Sequence, residues 1–558
     1  MIKSGAEILV QELINQGVDT VFGYPGGYVI GIYDELYKNT DKITHILPAH
    51  EQGGCHAADA YARVSGKVGV VIATGGPGAT NLVTGIANAY LDSVPVVFIT
   101  GNVAVPMLGQ DSFQDIDIAG VTLPIVKHSY VVKDVSQLQQ TISEAFIIAS
   151  TDRKGPVHID IPKSVQLDEC KYVQSPNVFF EKKQKTFDIS DPDSVSAIEA
   201  AVSLISNCER PYIYCGGGVS ASDTGHIAML FAEKISAPIG LTMMGIGSIP
   251  SSFDLNLGMS GMHGRYASII AKAEADLVIA LGVRFSDRAT GSAGSLGENT
   301  AVIHIDIDAA EIGKNITPNV SLCGDLKDIL PEILLKVQPK SNNDWLSRVR
   351  ELKEKDTGDA GCGFTPRNII ECVNKHYDDD TIIATDVGQH QMWVAQFYKF
   401  EKTRKLISSG GLGAMGYGLG AAIGASIAGE RKRVVLFTGD GSFGMNLTEL
   451  ATAVYHKLPL TIIVISNNSL GMVRQLQTLF YDKRYSCTTL DRNTDFPAVA
   501  RAYGATGVHV GSIEELSSVL SKIPENMPCL IECNVSADEM VLPMIPAGGS
   551  IDDAIFDF

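Results

Sequence analysis

The sequence predicts an α/β protein with three doubly wound domains, each a parallel sheet covered by helices on both faces. A chain of 558 residues is too long for one hydrophobic core and suits about three domains of ordinary size. Short apolar runs typical of buried strands alternate with longer stretches of helical spacing, which is the order found in parallel sheets. The 55 glycines suit the tight turns between such strands and helices.

The first domain is expected over residues 1–168. Its buried strands are predicted at 68–74 (VGVVIAT) and 94–100 (VPVVFIT), and a GGPG turn and a helix at 80–91 lie between them. A polar stretch at 171–193 is typical of a linker to the next domain.

The second domain is expected over 190–338 and the third over 364–558. A charged segment with few apolar residues, 336–363, is predicted to be the linker between them. The strands predicted for these two domains include 211–215, 276–282, 301–308, 381–385, 433–439 and 460–466. Ligands of parallel sheets bind beyond the carboxyl ends of the strands, and the glycine-rich turns of this chain lie there.

The composition excludes several classes of function. A formal net charge of −19 disfavours nucleic acid and anionic membranes as partners. No apolar run is long enough to span a membrane, and residues 1–17 resemble neither a signal peptide nor a transit peptide. The ten cysteines form no CxxC pair and are expected to be reduced thiols. We therefore expect a cytoplasmic protein whose ligands are small molecules.

Two short motifs follow neighbouring strands of the third domain, GDG at 439–441 and NN at 467–468. The residues between them suffice for one helix, predicted at 446–457, and a returning parallel strand, so the two strand ends are expected to be neighbours. Asp440 and Asn468 then supply oxygen ligands for one hard cation. GDG alone is more often an ordinary turn, but the paired motifs favour a metal and phosphate site.

This combination resembles the metal and diphosphate site of thiamine-diphosphate-dependent enzymes. The resemblance implies bound thiamine diphosphate and Mg²⁺, with the metal held by Asp440, Asn468 and the backbone carbonyl of Leu470. The residues implied to lie against the diphosphate are Gln389, His390, Gly439, Gly441 and Ser442.

The chemistry of this cofactor also requires a carboxylate that hydrogen-bonds its pyrimidine ring. Glu51 opens an alanine-rich helix in PAHEQGGCHAADAYAR, where a lone glutamate would ordinarily complement the helix dipole. The surrounding motif resembles the pyrimidine side of the same enzymes, which implies a catalytic role for Glu51. The resemblance also places Pro77 and Asn81 in this pocket and gives Met415 the role of bending the cofactor, although a core methionine is the ordinary interpretation.

Nearly the whole chain resembles the acetohydroxyacid synthase family, most clearly in TDVGQHQMWVAQFY, SSGGLGAMGYG and MVLPMIPAGGSIDD. The resemblance implies decarboxylation of pyruvate and transfer of its two-carbon unit to a second 2-oxo acid, pyruvate or 2-oxobutyrate, in branched-chain amino-acid synthesis. It also implies a homodimer or homotetramer whose active sites are shared between subunits. A separate regulatory subunit is left open.

The middle domain resembles the part of this family that binds FAD, where the flavin is structural. Its pattern comprises a triple-glycine turn, MHG, RFSDR and HIDID; a glycine turn alone is weak support for a dinucleotide. The residues implied to contact FAD are Arg153, Gly216, Gly217, Gly218, Thr242, Met262, His263, Gly264, Arg284, Asp306 and Asp325.

The resemblance implies a substrate pocket in which Arg288 binds a substrate carboxylate through its planar guanidinium group. The other residues of this pocket are Tyr28, Phe113, Gln114, Lys163, Met472 and Leu476. Three features depart from the family pattern: Leu476 replaces a tryptophan, Tyr28 replaces an alanine, and the segment after the NN motif is one residue shorter.

These departures leave other functions open. One is a carboligase specialised for a different pair of 2-oxo acids. Another is a different thiamine-diphosphate enzyme, such as a catabolic acetolactate synthase, a pyruvate oxidase or an oxalyl-CoA-type decarboxylase. A non-catalytic homologue is the alternative from another class, and the intact Glu51, Asp440 and Asn468 argue against it.

Overall fold

Three parallel sheets of six strands each organise the chain, which confirms the predicted fold class. The computed structural model describes residues 1–173, 187–291, 296–297, 299–356, 363–492 and 494–556. The central strands of each sheet are buried between helices, and buried parallel strands are continuous apolar runs for this reason. No helix among the described residues is both long and apolar enough to cross a membrane.

The first sheet has its longest strands at its centre. Across the sheet, its strands are Thr44–Ile46, Thr20–Tyr24, Gly69–Ala73, Val96–Asn102, Val157–Pro162 and His128–Val131. The helices of this domain are Gly5–Asn15, Ile30–Lys38, Glu51–Ser65, Pro77–Thr80, Val83–Leu91, Ile118–Thr122, Val135–Ser150 and Lys163–Leu167. A separate antiparallel pair joins Ile2–Ser4 to Glu169–Lys171 and so ties the beginning of the domain to its end.

The second sheet repeats this architecture. Across the sheet, its strands are Asn256–Met259, Ile239–Leu241, Pro211–Cys215, Leu277–Leu281, Ala301–Asp306 and Val320–Cys323. Its helices are Pro192–Asn207, Gly217–Ser222, Gly225–Ile235, Tyr266–Glu274, Asp287–Thr290, Leu326–Lys336 and Asn343–Asp356.

The third sheet carries the GDG and NN motifs on two adjacent central strands. Across the sheet, its strands are Leu406–Ile407, Ile382–Thr385, Val434–Gly439, Leu460–Ser466, Cys529–Asn534 and Thr506–Val510. Its helices are Pro366–His376, Gln389–Phe397, Tyr417–Ala428, Asp440–Asn446, Leu450–Tyr455, Gly471–Phe480, Phe496–Ala502 and Ile513–Leu520. Short 3₁₀ turns lie at Val105–Met107, Leu123–Ile125, Met243–Gly245, Leu447–Glu449 and Ile551–Asp553.

The described part of the segment 336–363, which was predicted to be a linker, is largely helical. Its helix Asn343–Asp356 buries Trp345, Val349 and Leu352, and the Trp345 indole donates to the Pro211 carbonyl at 3.0 Å. Three apolar residues at helical spacing are enough to pack a charged helix against the domain, although the average hydrophobicity of the helix is low. The other predicted linker, 171–193, falls mostly on residues 174–186, which lie outside the described part of the chain. The domain boundaries stay a prediction.

The predicted helix at 446–457 was also wrong in its bounds. Helix begins at Asp440, directly after the strand, and is interrupted by the turn Leu447–Glu449 before Leu450–Tyr455. The helix predicted at 80–91 is likewise divided, into Pro77–Thr80 and Val83–Leu91. The spacing of apolar residues and the helix propensity of a segment predict that it is helical, but they do not show where the helix is interrupted.

The first and third domains share one hydrophobic core, because the helices Glu51–Ser65 and Tyr417–Ala428 lie unusually close together. A Cβ atom added to Gly420 would come 2.6 Å from the Gly53 carbonyl oxygen, and one added to Gly424 would come 1.9 Å from that of Ala57. Only glycine fits at such distances. The helix that begins with Glu51 is therefore held directly by the third domain.

Candidate functional site

The GDG and NN motifs meet at one edge of the third sheet, as expected. The strands Val434–Gly439 and Leu460–Ser466 are parallel neighbours, and Gly439 pairs with Ile465. The Asp440 carboxylate is buried and accepts hydrogen bonds from the Gly441 amide at 2.9 Å and the Ser466 hydroxyl at 3.4 Å. Burial raises its pKa, and neighbouring backbone amides partly offset that rise.

This carboxylate suits a bound cation. In the part of the chain that the structure describes, no lysine, arginine or histidine forms an ion pair with Asp440. The Asn468 side chain is exposed and makes no hydrogen bond within the described residues, while the Leu470 carbonyl accepts only the Arg474 amide, at 2.9 Å. A hard divalent cation takes such carboxylate, amide and carbonyl oxygens. The described residues contain no cluster of three His, Cys, Asp or Glu side chains that would offer a different metal site.

The residues predicted to lie against the diphosphate surround the same loop. A Cβ atom added to Gly439 would lie 3.0 Å from Nδ1 of His390, so the imidazole sits directly against this glycine. Burial lowers the pKa of His390 to about 3, and its Nε2 atom has no partner among the described residues. Ser442 donates to the Gly439 carbonyl at 3.3 Å, and Gln389 accepts from Asn467 Nδ2 at 3.2 Å. A neutral, unpaired ring nitrogen beside a glycine-rich loop fits a phosphate group.

Met415 stands over this loop. A Cβ atom added to Gly441 would lie 2.8 Å from Leu470 Cδ2 and 3.7 Å from Met415 Cε. The loop that carries Met415 is anchored by a residue that the sequence did not indicate: the Asp92 carboxylate accepts the amides of Gly410 at 3.1 Å and Gly411 at 2.7 Å.

Glu51 lies at the first turn of its helix, where its Oε2 atom accepts the Asn81 side-chain amide at 2.9 Å. Pro77 begins the neighbouring short helix Pro77–Thr80, and a Cβ atom added to Gly78 would come 3.3 Å from Glu51 Oε1. One carboxylate oxygen is thus oriented by Asn81, and the side chain is only half-buried. This arrangement can present a fixed acceptor to a ring nitrogen.

The predicted substrate residues fall into two groups. In the first domain, the Tyr28 hydroxyl donates to the Phe113 carbonyl at 2.5 Å, and a Cβ atom added to Gly76 would lie 2.7 Å from Gln114 Cβ. Lys163 is exposed at the start of its helix. The other group, Arg288, Met472 and Leu476, lines a cavity between the three domains together with Met415.

That cavity has a volume of about 1010 Å³. Ten of the eleven residues predicted to contact FAD line it: Arg153, Gly216, Gly217, Gly218, Thr242, Met262, His263, Arg284, Asp306 and Asp325. Gly264 does not line this cavity, and its contact with FAD stays a prediction. A Cβ atom there would come 2.8 Å from the Met259 carbonyl oxygen and the Ser260 Cα, so the glycine is required by a tight backbone turn.

Two of the glycines on the wall also have a structural reason. Cβ atoms added to Gly216 and Gly218 would come 2.0 Å from the Gly282 carbonyl oxygen and 2.6 Å from its Cα atom. Gly217 is less confined, with Met244 Cβ at 3.2 Å as the nearest neighbour. The close approach of two strand ends therefore explains why Gly216 and Gly218 must be glycines. At Gly217, the lack of a side chain leaves space in the cavity.

The charges of the cavity suit an anionic ligand. Arg153 is paired with Asp308 at 3.1 Å and Glu311 at 2.7 Å. Arg284 forms no ion pair within the described residues, and its pKa is lowered first by burial and then by Arg153. Burial raises the pKa of Asp306 to about 6. An unpaired guanidinium beside a glycine turn fits a pyrophosphate, and a nearby carboxylate suits ribose hydroxyls.

The two halves of the predicted thiamine site lie on the first and third domains of the chain. No hydrogen bond or ion pair links Glu51 to residues 439–442 in the described part of the structure. The sequence did not indicate three polar residues that support these two regions, namely Asp92, Gln475 and Glu449. They were missed because a buried polar residue carries no local sequence signal.

Comparison with known proteins follows the same three-part division. Models of the thiamine pyrophosphate enzyme family match over residues 3–121 (N-terminal TPP binding domain), 198–333 (central domain) and 386–533 (C-terminal TPP binding domain). The fold and the paired motifs thus define a thiamine pyrophosphate enzyme.

Curated relatives specify the family further. The chain is 42% identical to the acetolactate synthase large subunit of Lactococcus lactis subsp. lactis, over 99% of this chain and 96% of the relative. It is 42% identical to that of Corynebacterium glutamicum, over 99% and 90%, and 41% identical to the probable acetolactate synthase large subunit of Methanocaldococcus jannaschii, over 99% and 95%. The chain belongs to the family of acetolactate synthase large subunits.

Proposed function

We propose that this chain decarboxylates pyruvate and joins the resulting two-carbon unit to a second pyruvate or to 2-oxobutyrate. The observation that carries this proposal is the buried Asp440, without a cationic partner among the described residues, next to the NN motif in a chain of this family. Bound thiamine diphosphate would supply a nucleophilic carbon that adds to the pyruvate carbonyl, and a positively charged ring that accepts the electron pair released when CO₂ leaves. The chain's own residues bind and orient this group and its substrates.

Glu51 is proposed to accept a hydrogen bond from the pyrimidine ring. Asn81 holds one of its carboxylate oxygens, which leaves the other oriented toward a ligand. On the diphosphate side, Asp440, Asn468 and the Leu470 carbonyl would hold Mg²⁺, and His390 and Gln389 would flank the phosphates. Met415, beside Gly441, would keep the two rings of the cofactor bent toward each other.

FAD is proposed to occupy the cavity between the domains. The unpaired Arg284 would hold its pyrophosphate, with Gly217 allowing close approach and Asp306 accepting from a ribose hydroxyl. By resemblance to the family, the flavin would have a structural role and would fill the cavity between the domains. Absorbance of the purified protein in the visible range would show whether it is retained.

A second copy of the chain is proposed to complete each active site. The relevant observation is that Glu51 forms no hydrogen bond or ion pair with the loop 439–442 of its own chain within the described residues. A symmetric dimer brings the two halves of two sites together at once. The relatives are called large subunits, which agrees with a separate regulatory partner.

Product analysis tests this function. Purified protein is supplied with pyruvate, with and without 2-oxobutyrate, while thiamine diphosphate, Mg²⁺ and FAD are omitted in turn. Acetolactate, and 2-aceto-2-hydroxybutyrate in the second mixture, are the expected products. Acetyl phosphate with peroxide, or acetaldehyde alone, would overturn the proposal, as would a Glu51→Gln variant with full turnover.

A further inference from the structure

A buried carboxylate of the third domain contacts the first domain beside Glu51. Glu449 is 1% exposed, and its Oε1 atom accepts the His50 amide at 3.0 Å while its Oε2 atom accepts the Ala49 amide at 3.1 Å. Thr452 donates its hydroxyl to Oε2 at 2.7 Å. All three donors converge on one carboxylate, which therefore has a fixed orientation.

These contacts lie directly before the activating glutamate. Ala49 and His50 are the two residues that precede Glu51, the first residue of its helix. Backbone amides at this place have no partner within the helix, so a carboxylate from another domain can fix the chain where the helix starts. The backbone from which the Glu51 side chain projects is thus held by Glu449.

The sequence of the helix is adapted to this carboxylate. A Cβ atom added to Gly53 would come 2.1 Å from Glu449 Oε1, so any side chain at position 53 would displace Glu449. Asn81 holds the Glu51 side chain from within the first domain, and Glu449 holds its main chain from the third. The two anchors act on different atoms and together determine where the Glu51 carboxylate lies.

Resting on the proposed catalytic role of Glu51, we propose that Glu449 is a positioning residue for the reaction: it fixes the 49–50 backbone so that the Glu51 carboxylate meets the pyrimidine ring. Glu449 does not line the central cavity, so its role would be exerted through Glu51. Glu449 lies in the 3₁₀ turn that follows the helix Asp440–Asn446, so it ties the segment after the GDG motif to the backbone before Glu51 of the same chain.

Replacing Glu449 by glutamine changes the hydrogen-bonding chemistry of the side chain while keeping its size. Glu449→Gln keeps the length of the side chain, but one of its terminal atoms becomes a donor that faces a backbone N–H donor. One hydrogen bond is lost and one buried amide is left unpaired. Glu449→Asp keeps two acceptor oxygens on a shorter stem and should show an intermediate effect.

The first measurement uses the cofactor-free protein. In Glu449→Gln, the amides of Ala49 and His50 should exchange with deuterium about tenfold faster than in the wild type. Glu12→Gln is the matched control, because Glu12 is also a buried carboxylate of 4% exposure, bonded to Tyr172 at 2.7 Å. It should leave exchange at Ala49 and His50 unchanged. Unchanged exchange in Glu449→Gln would overturn the proposal.

The second measurement uses the loaded enzyme. We expect kcat of Glu449→Gln to fall about 100-fold, as for a misplaced catalytic group, while the Kd for thiamine diphosphate and the KM for pyruvate change less than about threefold. The circular dichroism of the bound pyrimidine should change in the direction seen with Glu51→Gln. A merely structural role would lower the unfolding temperature and leave kcat and this signal as in the wild type.

The outcomes separate the two proposals. Full turnover by Glu51→Gln sinks the proposed function, whatever Glu449 does. Loss of turnover in Glu51→Gln, together with wild-type amide exchange and kcat in Glu449→Gln, refutes only the positioning role.

Discussion

Leu476 lies on the wall of the central cavity and is 38% exposed there, on the helix Gly471–Phe480. A leucine offers no aromatic face on which a flat inhibitor can stack. We expect weak inhibition by sulfonylurea-type compounds and a reduced preference for 2-oxobutyrate. Leu476→Trp should strengthen inhibition by about tenfold, a gain consistent with one aromatic stacking contact.

Inhibition constants of both proteins, measured beside product ratios from mixed substrates, check this expectation. Leu167→Trp adds the same ring at an exposed position, 61% accessible, outside the cavity wall and serves as the control. Strong inhibition of the wild type would contradict the expectation that Leu476 weakens the binding of these compounds.

Asp160 is a fully buried carboxylate that accepts from Thr100 at 2.6 Å and Asn102 at 2.7 Å. Burial, with smaller contributions from Asp115 and Asp117, raises its pKa from 3.8 to about 6. The folded protein therefore holds a proton that the unfolded chain releases, and this contribution to stability is lost as pH rises toward about 6.

Between pH 5 and pH 7, the free energy of unfolding should fall by about 1 kcal/mol more in the wild type than in Asp160→Asn. Denaturant titrations at the two pH values measure the difference. An equal change in both proteins would show that Asp160 titrates normally in the folded state.

At the scale of elements, the central strands were predicted within one or two residues. Pro211–Cys215 and Leu460–Ser466 have the predicted bounds, because a strand buried on both faces must be apolar throughout and ends where water or a glycine turn begins. The sequence also predicted that the GDG and NN motifs lie next to each other, because a single helical connection joins neighbouring parallel strands.

The contacts that hold the site could not be predicted in this way. Glu449, Asp92 and Gln475 act on residues distant in sequence: Gln475, for example, donates to the Val541 carbonyl at 3.0 Å and accepts its amide at 2.8 Å. A glutamine within an amphipathic helix is ordinarily exposed, so nothing local marks it as buried. The helix Asn343–Asp356 was missed for a related reason, since its three buried residues are outnumbered by charges.

The contact between the helices Glu51–Ser65 and Tyr417–Ala428 can be tested by adding one methyl group. Gly424→Ala would bring a Cβ atom against the Ala57 backbone, which cannot move as a side chain can. We expect the free energy of unfolding to fall by about 1–3 kcal/mol, as in other overpacked cores. Gly511→Ala is the control, because its Cβ would meet only Glu515 Oε2, at 3.9 Å. Equal stability of the two variants would contradict this account.

At the scale of the whole molecule, the cavity joins residues of all three domains. Arg153 comes from the first, Arg284 from the second and Met415 from the third. The active site is divided between domains, and we propose that it is also divided between two chains. A complete site then forms only when the chains assemble.

Mixed assemblies provide a direct test of the shared site. Glu51→Gln and Asp440→Ala should each be inactive alone. When the two variants are unfolded, mixed and refolded together, half of the dimers contain one chain of each kind, and one of their two sites has both native residues. Activity should return to about a quarter of the wild-type level. Failure of the mixture to regain activity, with each variant still able to dimerise, would place Glu51 and Asp440 of one chain in the same site.

The close fit of Gly420 and Gly424 against the first domain has a consequence for dissecting the protein. A fragment that stopped before the third domain would expose the alanine-rich side of the helix Glu51–Ser65 to solvent, where it would favour aggregation. The first and third domains should therefore be expressed together. A protein split between them should regain solubility only when both pieces are produced in the same cell.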